Sequence, residues 1–182
     1  QVAGSYEDQQ DSFSDLGTLA VLIIILVFIV MAAQFESLTY PFIIMFSIPL
    51  AFTGGFIALL LTGQEVNVLA MLGFIMLAGL IVNNGIVLID YINQARKAGV
   101  SKHEAIISSG KTRVRPILMT VLTTVLAMLT TALGIGDGSD MMRPMAITLI
   151  GGLVYGTVLT LIVIPCIYDM FHREKNMVEE EL

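Results

Sequence analysis

Arg113 and Thr120 stand seven residues apart in Arg113-Val-Arg115-Pro116-Ile-Leu-Met-Thr120, at the entrance to an uncharged stretch that continues through Thr123, Thr124, Thr130 and Thr131. Seven residues is close to two helical turns, so Arg113, Thr120, Thr124 and Thr131 share a face. A guanidinium at a membrane edge beside a stripe of hydroxyls is suited to hold a buried carboxylate or to order water. The competing reading of Arg113 is a snorkelling, positive-inside anchor, and the residues alone leave both open. Arg115, next to Pro116, reads as such an anchor. Asn83-Asn84 lies near the middle of another apolar stretch. Adjacent residues point to different helix faces, so at least one amide must face other helices, as interhelical hydrogen-bond glue worth ~1 kcal/mol.

Two acidic motifs invite an enzymatic reading. Gly134-Ile-Gly136-Asp137 is a GxGD and Tyr168-Asp169 a Tyr-Asp pair, the combination found in intramembrane aspartyl proteases. A proteolytic dyad needs both carboxylates facing each other at one depth. Here Asp137 falls in a loop at one end of the last apolar stretch and Asp169 at its other end, ~30 Å away by the bilayer thickness, and the order of the motifs is reversed. No HExxH, Walker A or GxSxG occurs, so no other enzyme class has a foothold.

Five uncharged stretches position these residues: Leu16 to Phe35, Ser37 to Gln64, Val66 to Ile89, Pro116 to Gly136 and Pro144 to Tyr168. Each reaches the roughly 20 apolar residues that a helix needs to cross a bilayer. The chain is 56% hydrophobic and only 13% charged, a composition no soluble domain requires. The expected fold is all-α and integral to the membrane, with spans at about 16–35, 41–62, 67–92, 114–134 and 144–170. The net charge of -6 arises largely from acidic clusters at the two ends, residues 7–15 and Glu179 to Glu181, which read as solvated and point to no nucleic-acid partner. Cys166 is the only cysteine; it excludes an intrachain disulfide and reads as helix packing.

Eight of the nine Lys and Arg residues fall on one side, in Arg96 to Arg115 and at Arg173 and Lys175, against Arg143 alone on the other. That bias predicts a cytoplasmic 94–115 loop and C-terminus, with residues 1–15 outside. Within the loop, Ser101 and Glu104 have capping-box spacing, which predicts a short helix over 101–109 on the inner membrane surface. Gly152 and Gly156 form a GxxxG pair for close helix packing, and Pro49 and Pro165 should kink or end their helices.

The run Ala33-Gln-Phe-Glu36-Ser-Leu-Thr-Tyr-Pro41-Phe, then Ser47-Ile-Pro49-Leu, then Gly79-Leu-Ile-Val-Asn-Asn-Gly-Ile-Val-Leu-Ile-Asp90-Tyr, then Arg113-Val-Arg-Pro-Ile-Leu-Met-Thr120 resembles the C-terminal membrane domain of resistance-nodulation-division transporters of the acriflavine-resistance, hydrophobe/amphiphile efflux type. The likeness covers nearly the whole chain. It implies a pump of twelve membrane helices in two parallel repeats of six, with large extracytoplasmic domains inserted after the first helix of each repeat. On that map the chain supplies the last five helices over 16–171, residues 1–15 trail from the second inserted domain, and 172–182 form an acidic cytoplasmic tail.

The resemblance also implies proton antiport powered by the proton motive force, without cofactor or metal. The family's relay uses two aspartates of the first repeat with a lysine, an arginine and a threonine of the second. The arginine falls on Arg113 and the threonine on Thr120; the lysine position holds Asn83, an amide that cannot neutralise a carboxylate. Asn84, Gly152 and Gly156 are left to helix packing. Implied partners are the rest of the same polypeptide, a homotrimer, the lipid bilayer and, in a Gram-negative host, a periplasmic adaptor and an outer-membrane channel.

The leading expectation is therefore the membrane part of a proton-driven multidrug or amphiphile efflux pump, inactive alone. The alternatives are a metal or protein-export component of the same superfamily, a membrane anchor, and, remotely, the protease. Metal export would favour a path of methionines or carboxylates; Met71, Met76, Met119 and Met128 sit among Leu, Ile and Ala without carboxylates and read as packing.

Overall fold

A computed structural model describes residues 2–171, with side chains from residue 4, and every element in it is helical: α1 (Val2–Phe35), α2 (Thr39–Met45), α3 (Ser47–Thr62), α4 (Val68–Lys97), α5 (Lys102–Ala132) and α6 (Ser139–Phe171). With α2 and α3 taken together, five helices are long and apolar enough to cross a membrane. The acidic tail expected at 172–182 lies outside the described residues.

Short connections make successive spans antiparallel, and side-chain contacts confirm which ends meet. At one end Lys102, opening α5, bonds to Asp169 near the end of α6, Nζ to Oδ1 2.9 Å, and donates to the Asp169 carbonyl at 3.1 Å. At the other end the Arg143 Nε donates to the Ala132 carbonyl at 3.0 Å. That contact satisfies a free carbonyl of the α5 C-terminus and sets a positive charge against its dipole.

α6 is the central post. It packs against α2, α3, α4 and α5, whereas among the described residues α1 touches only α2 and α4. Two apolar clusters fill the bundle. One joins Met31, Tyr40, Ile43 and Ile44 to Leu88, Ile92, Ile164 and Tyr168. The other joins Ala51 and Leu59 to Phe74, Leu77, Ile81, Ile117, Val121 and Leu153. Close approach is possible because α6 presents glycine where α3 and α4 cross it: a Cβ on Gly156 would sit 2.6 Å from the Ala51 Cβ, and one on Gly152 would sit 2.1 Å from a methyl of Leu77.

Local chemistry sets the ends. Asn67 caps α4 by accepting from the Ala70 N–H at 2.9 Å, and Ser101 caps α5 by accepting from the Glu104 N–H at 3.4 Å. Gly63 closes α3 in the left-handed region at φ 66°, where a residue without Cβ carries no penalty.

Several expectations need correction. The 94–115 segment is not a long loop with a separate helix at 101–109. α4 runs on to Lys97 and α5 is one helix of 31 residues from Lys102, passing through Pro116. The cap at Ser101 was read correctly but its helix does not stop at 109, because Ala105 and Ser109 are fully buried and that packing holds the turn leading to Arg113. The proline costs one hydrogen bond there without breaking the helix.

The second expected span breaks at Phe46 into α2 and α3. Pro49, three residues further on, cannot bond to the Met45 carbonyl, and its ring crowds it. Pro165, by contrast, lies inside an unbroken α6. Cys166 is exposed rather than packed. Residues before 16 continue the first span: α1 has 34 residues, about 50 Å of helix at 1.5 Å per residue, so its acidic start projects well beyond ~30 Å of hydrocarbon.

Thr157 and Thr160 of α6 are 2% exposed, yet neither hydroxyl has a hydrogen-bond partner among the described residues. The hydroxyls of Thr53, Thr120, Thr124 and Thr148 all bond back to the carbonyl four residues earlier. A buried unmet hydroxyl costs ~1–3 kcal/mol. Thr157→Val with Thr160→Val is therefore expected to raise the thermal midpoint of the protein in detergent, and a lower midpoint would show that the two hydroxyls are satisfied.

Candidate functional site

Ala105, Ser109, Ile117 and Val121 form the buried stripe of α5, and Arg113 falls on the same four-residue spacing. Its guanidinium is thereby turned toward α4, where its Cζ lies 4.8 Å from the centroid of the Tyr91 ring. Arg113 is half-buried, and its Nε is fully covered with no hydrogen-bond partner among the described residues. No carboxylate is paired with Arg113 among the described residues.

Asn83 and Thr120 lie on the antiparallel helices α4 and α5, eight residues before Tyr91 and seven after Arg113. At 1.5 Å per residue they stand about 12 Å and about 10 Å beyond the ring contact, hence at nearly one height. Both are exposed in this chain, as is Gly79 one turn from Asn83, whereas Asn84 is only 6% exposed on the opposite side of α4. The structure thus separates the two amides, which residue type and spacing alone left equivalent and the family resemblance assigned to the relay position and to packing. The Thr120 hydroxyl donates to the Pro116 carbonyl at 3.1 Å and the Thr124 hydroxyl to the Thr120 carbonyl at 2.9 Å. Asn83, Arg113 and Thr120 share no hydrogen bond with one another among the described residues.

Arg115 is exposed, as an anchor would be. Asp137 and Asp169 stand at opposite ends of α6, about 45 Å apart along its axis. Asp169 is already paired with Lys102, so the protease geometry is absent. No group of three metal-ligating His, Cys, Asp or Glu side chains occurs among the described residues.

A second polar cluster has no counterpart in the sequence reading. The Arg96 Nη1 donates to the Tyr168 hydroxyl at 3.2 Å, which donates to the Asn93 Oδ1 at 2.8 Å. Tyr168 is fully buried, Arg96 is 6% exposed, and Tyr168 stacks on Tyr40 with centroids 5.9 Å apart. This cluster ties α2, α4 and α6 together at the end where α5 begins. Residues 72 positions apart give no local signal; the only hint is an arginine where α4 should already have left the apolar layer.

The comparison with known families decides the identity, since the model of the AcrB/AcrD/AcrF family matches residues 1–172. The chain belongs to the AcrB/AcrD/AcrF family. That family consists of resistance-nodulation-division transporters, and with five helices long and apolar enough to cross a membrane the chain is a multi-pass membrane segment of such a protein.

Among curated proteins, the chain is 38% identical over 182 residues to the swarming motility protein SwrC of Bacillus subtilis, covering 98% of this chain and 17% of that protein. It is 34% identical over 177 residues to the cobalt-zinc-cadmium resistance protein CzcA of Cupriavidus metallidurans, covering 97% of this chain and 17% of that one. Two crystal forms of a heavy metal efflux pump superpose with TM-scores of 0.81 and 0.82 at 35% and 34% identity, each covering 91% of this chain and 16% and 17% of theirs. The AcrB/AcrD/AcrF member described here thus spans about a sixth of its relatives' length.

Proposed function

We propose that this chain forms five membrane helices of a larger exporter driven by proton entry, in which Arg113 holds a carboxylate supplied from elsewhere in the transporter. The observation that carries the reading is Arg113 itself. A permanently charged group, half-buried between two apolar helices with its Nε unpartnered, is costly unless a negative partner reaches it. The side on which a partner can arrive carries Asn83 and Thr120 at mid-helix height, and polar residues at that depth face protein or water rather than lipid. Asn83 supplies a hydrogen bond there in place of the family's lysine, so Arg113 is the only cation of the relay on this side. Residues 98–101 and the C-terminal end of α6 lie in the cytoplasm, by the positive-inside bias. The working assembly is a trimer, with an adaptor and an outer-membrane channel where the host has an outer membrane.

Divalent metal cations are the substrate class we favour over amphiphiles. This reverses the order that the sequence motifs alone gave, because one relative and both solved neighbours carry metal resistance or efflux in their names. Cells lacking their own exporters and making the full-length transporter should tolerate more cobalt, zinc or cadmium, and a protonophore should abolish the gain. A gain confined to dyes or detergents would restore the amphiphile reading. A gain that survives the protonophore would remove proton drive.

A further inference from the structure

We infer that Tyr91 is a positioning residue for Arg113, its ring fixing the guanidinium so that the terminal nitrogens are held ready for the carboxylate; this rests on the relay reading above. The ring is the only partner of the Arg113 charge recorded among the described residues, at 4.8 Å from Cζ to centroid. The Nε is covered and makes no hydrogen bond. An arginine side chain has four rotatable bonds, and without a partner it loses its geometry first. An aromatic face supplies attraction without a competing negative charge. A carboxylate from α4 at the same place would neutralise Arg113 and remove its pull on a proton-carrying group.

The ring belongs to α4 and the guanidinium to α5, so the contact spans two helices. A slide of α4 against α5 would take the ring off the guanidinium and change how firmly Arg113 can hold its partner. That gives α4 a means of acting on Arg113 without a lysine at position 83.

The test uses the full-length transporter in native membranes and two readouts. Modification of Arg113 by phenylglyoxal, followed by peptide mass spectrometry, reports how well the guanidinium is held. Tyr91→Leu should speed modification about 3- to 10-fold, and Tyr91→Phe, which keeps the ring, should leave it near wild type. Export of zinc and of ethidium should fall by a similar factor in Tyr91→Leu and recover in Tyr91→Phe at equal protein level. Unchanged modification in Tyr91→Leu, or an equal loss of export in Phe and Leu variants, overturns the inference. Arg113→Ala separates the two claims. If it exports normally while Tyr91→Leu still speeds modification, the relay reading fails and the contact stands.

Discussion

Arg113→Ala in the full-length transporter is expected to abolish export while protein level and membrane insertion stay normal. In the proposed relay the guanidinium holds a partner carboxylate ionised and releases it when helices move. Removing one member of a buried charge pair costs ~2–5 kcal/mol, and at about 1.4 kcal/mol per decade that is at least ~30-fold in the population of the coupled state. Insertion survives because α5 keeps an apolar run long enough to cross the bilayer and a cluster of basic residues at its start.

The neighbouring residues grade the effect. Thr120→Ala should reduce export sharply, since a hydroxyl exposed at the height of Asn83 can order water or pass a proton. Its bond to the Pro116 carbonyl leaves the oxygen lone pairs free to accept. Asn83→Ala should cost less, because no charge is lost. Arg115→Ala should be nearly silent, as expected of an exposed anchor. Resistance assays at matched expression read all four, and normal export by Arg113→Ala would reduce that residue to a topogenic charge.

The five spans were legible because lipid demands long uncharged runs, and nothing in a 182-residue chain imitates five of them. The face shared by Arg113 and Thr120 was legible for a similar reason, since helical periodicity is fixed by backbone geometry. Continuity was not. Whether residues 101–132 form one helix or two depends on the burial of Ala105 and Ser109 against the bundle, a tertiary fact that overrides a proline and a run of polar residues. The Asn83-Asn84 pair shows the same limit. Sequence requires one amide to face inward, but the choice of Asn84 is made by the way α6 packs on α4. The Tyr91 ring and the Arg96–Tyr168–Asn93 chain were invisible because each contact joins different helices. Tyr168-Asp169 drew attention for catalysis it cannot perform. Its tyrosine instead closes a buried network and its aspartate pairs with Lys102.

Alanine at the glycines of the α3–α6 crossing should disrupt the bundle in an order that depends on what each new methyl meets. At Gly54 the added Cβ would lie 2.5 Å from the Tyr155 Cβ and 2.8 Å from the Gly151 carbonyl oxygen, and at Gly151 it would lie 2.2 Å from the Ala58 Cβ and 2.9 Å from the Gly54 carbonyl oxygen. At Gly156 it would meet the Ala51 Cβ at 2.6 Å and Cα at 3.0 Å. These obstacles are backbone or the first atom of a side chain, so relief requires the two helices to separate, at ~1–3 kcal/mol or more for each substitution. Gly152 differs. Its Cβ would strike the two methyls of Leu77 at 2.1 and 2.9 Å, atoms at the end of a flexible side chain that can turn aside. Gly54→Ala, Gly151→Ala and Gly156→Ala are therefore expected to lower the thermal midpoint and the yield of folded protein in detergent well beyond Gly152→Ala. Lipid offers no hydrophobic drive to hold two helices together once contact is lost, so the damage is not recovered by looser packing. Should Gly152→Ala prove the most damaging of the four, Leu77 has no room to move and the α4–α6 seam, not the α3–α6 crossing, sets the stability of the bundle.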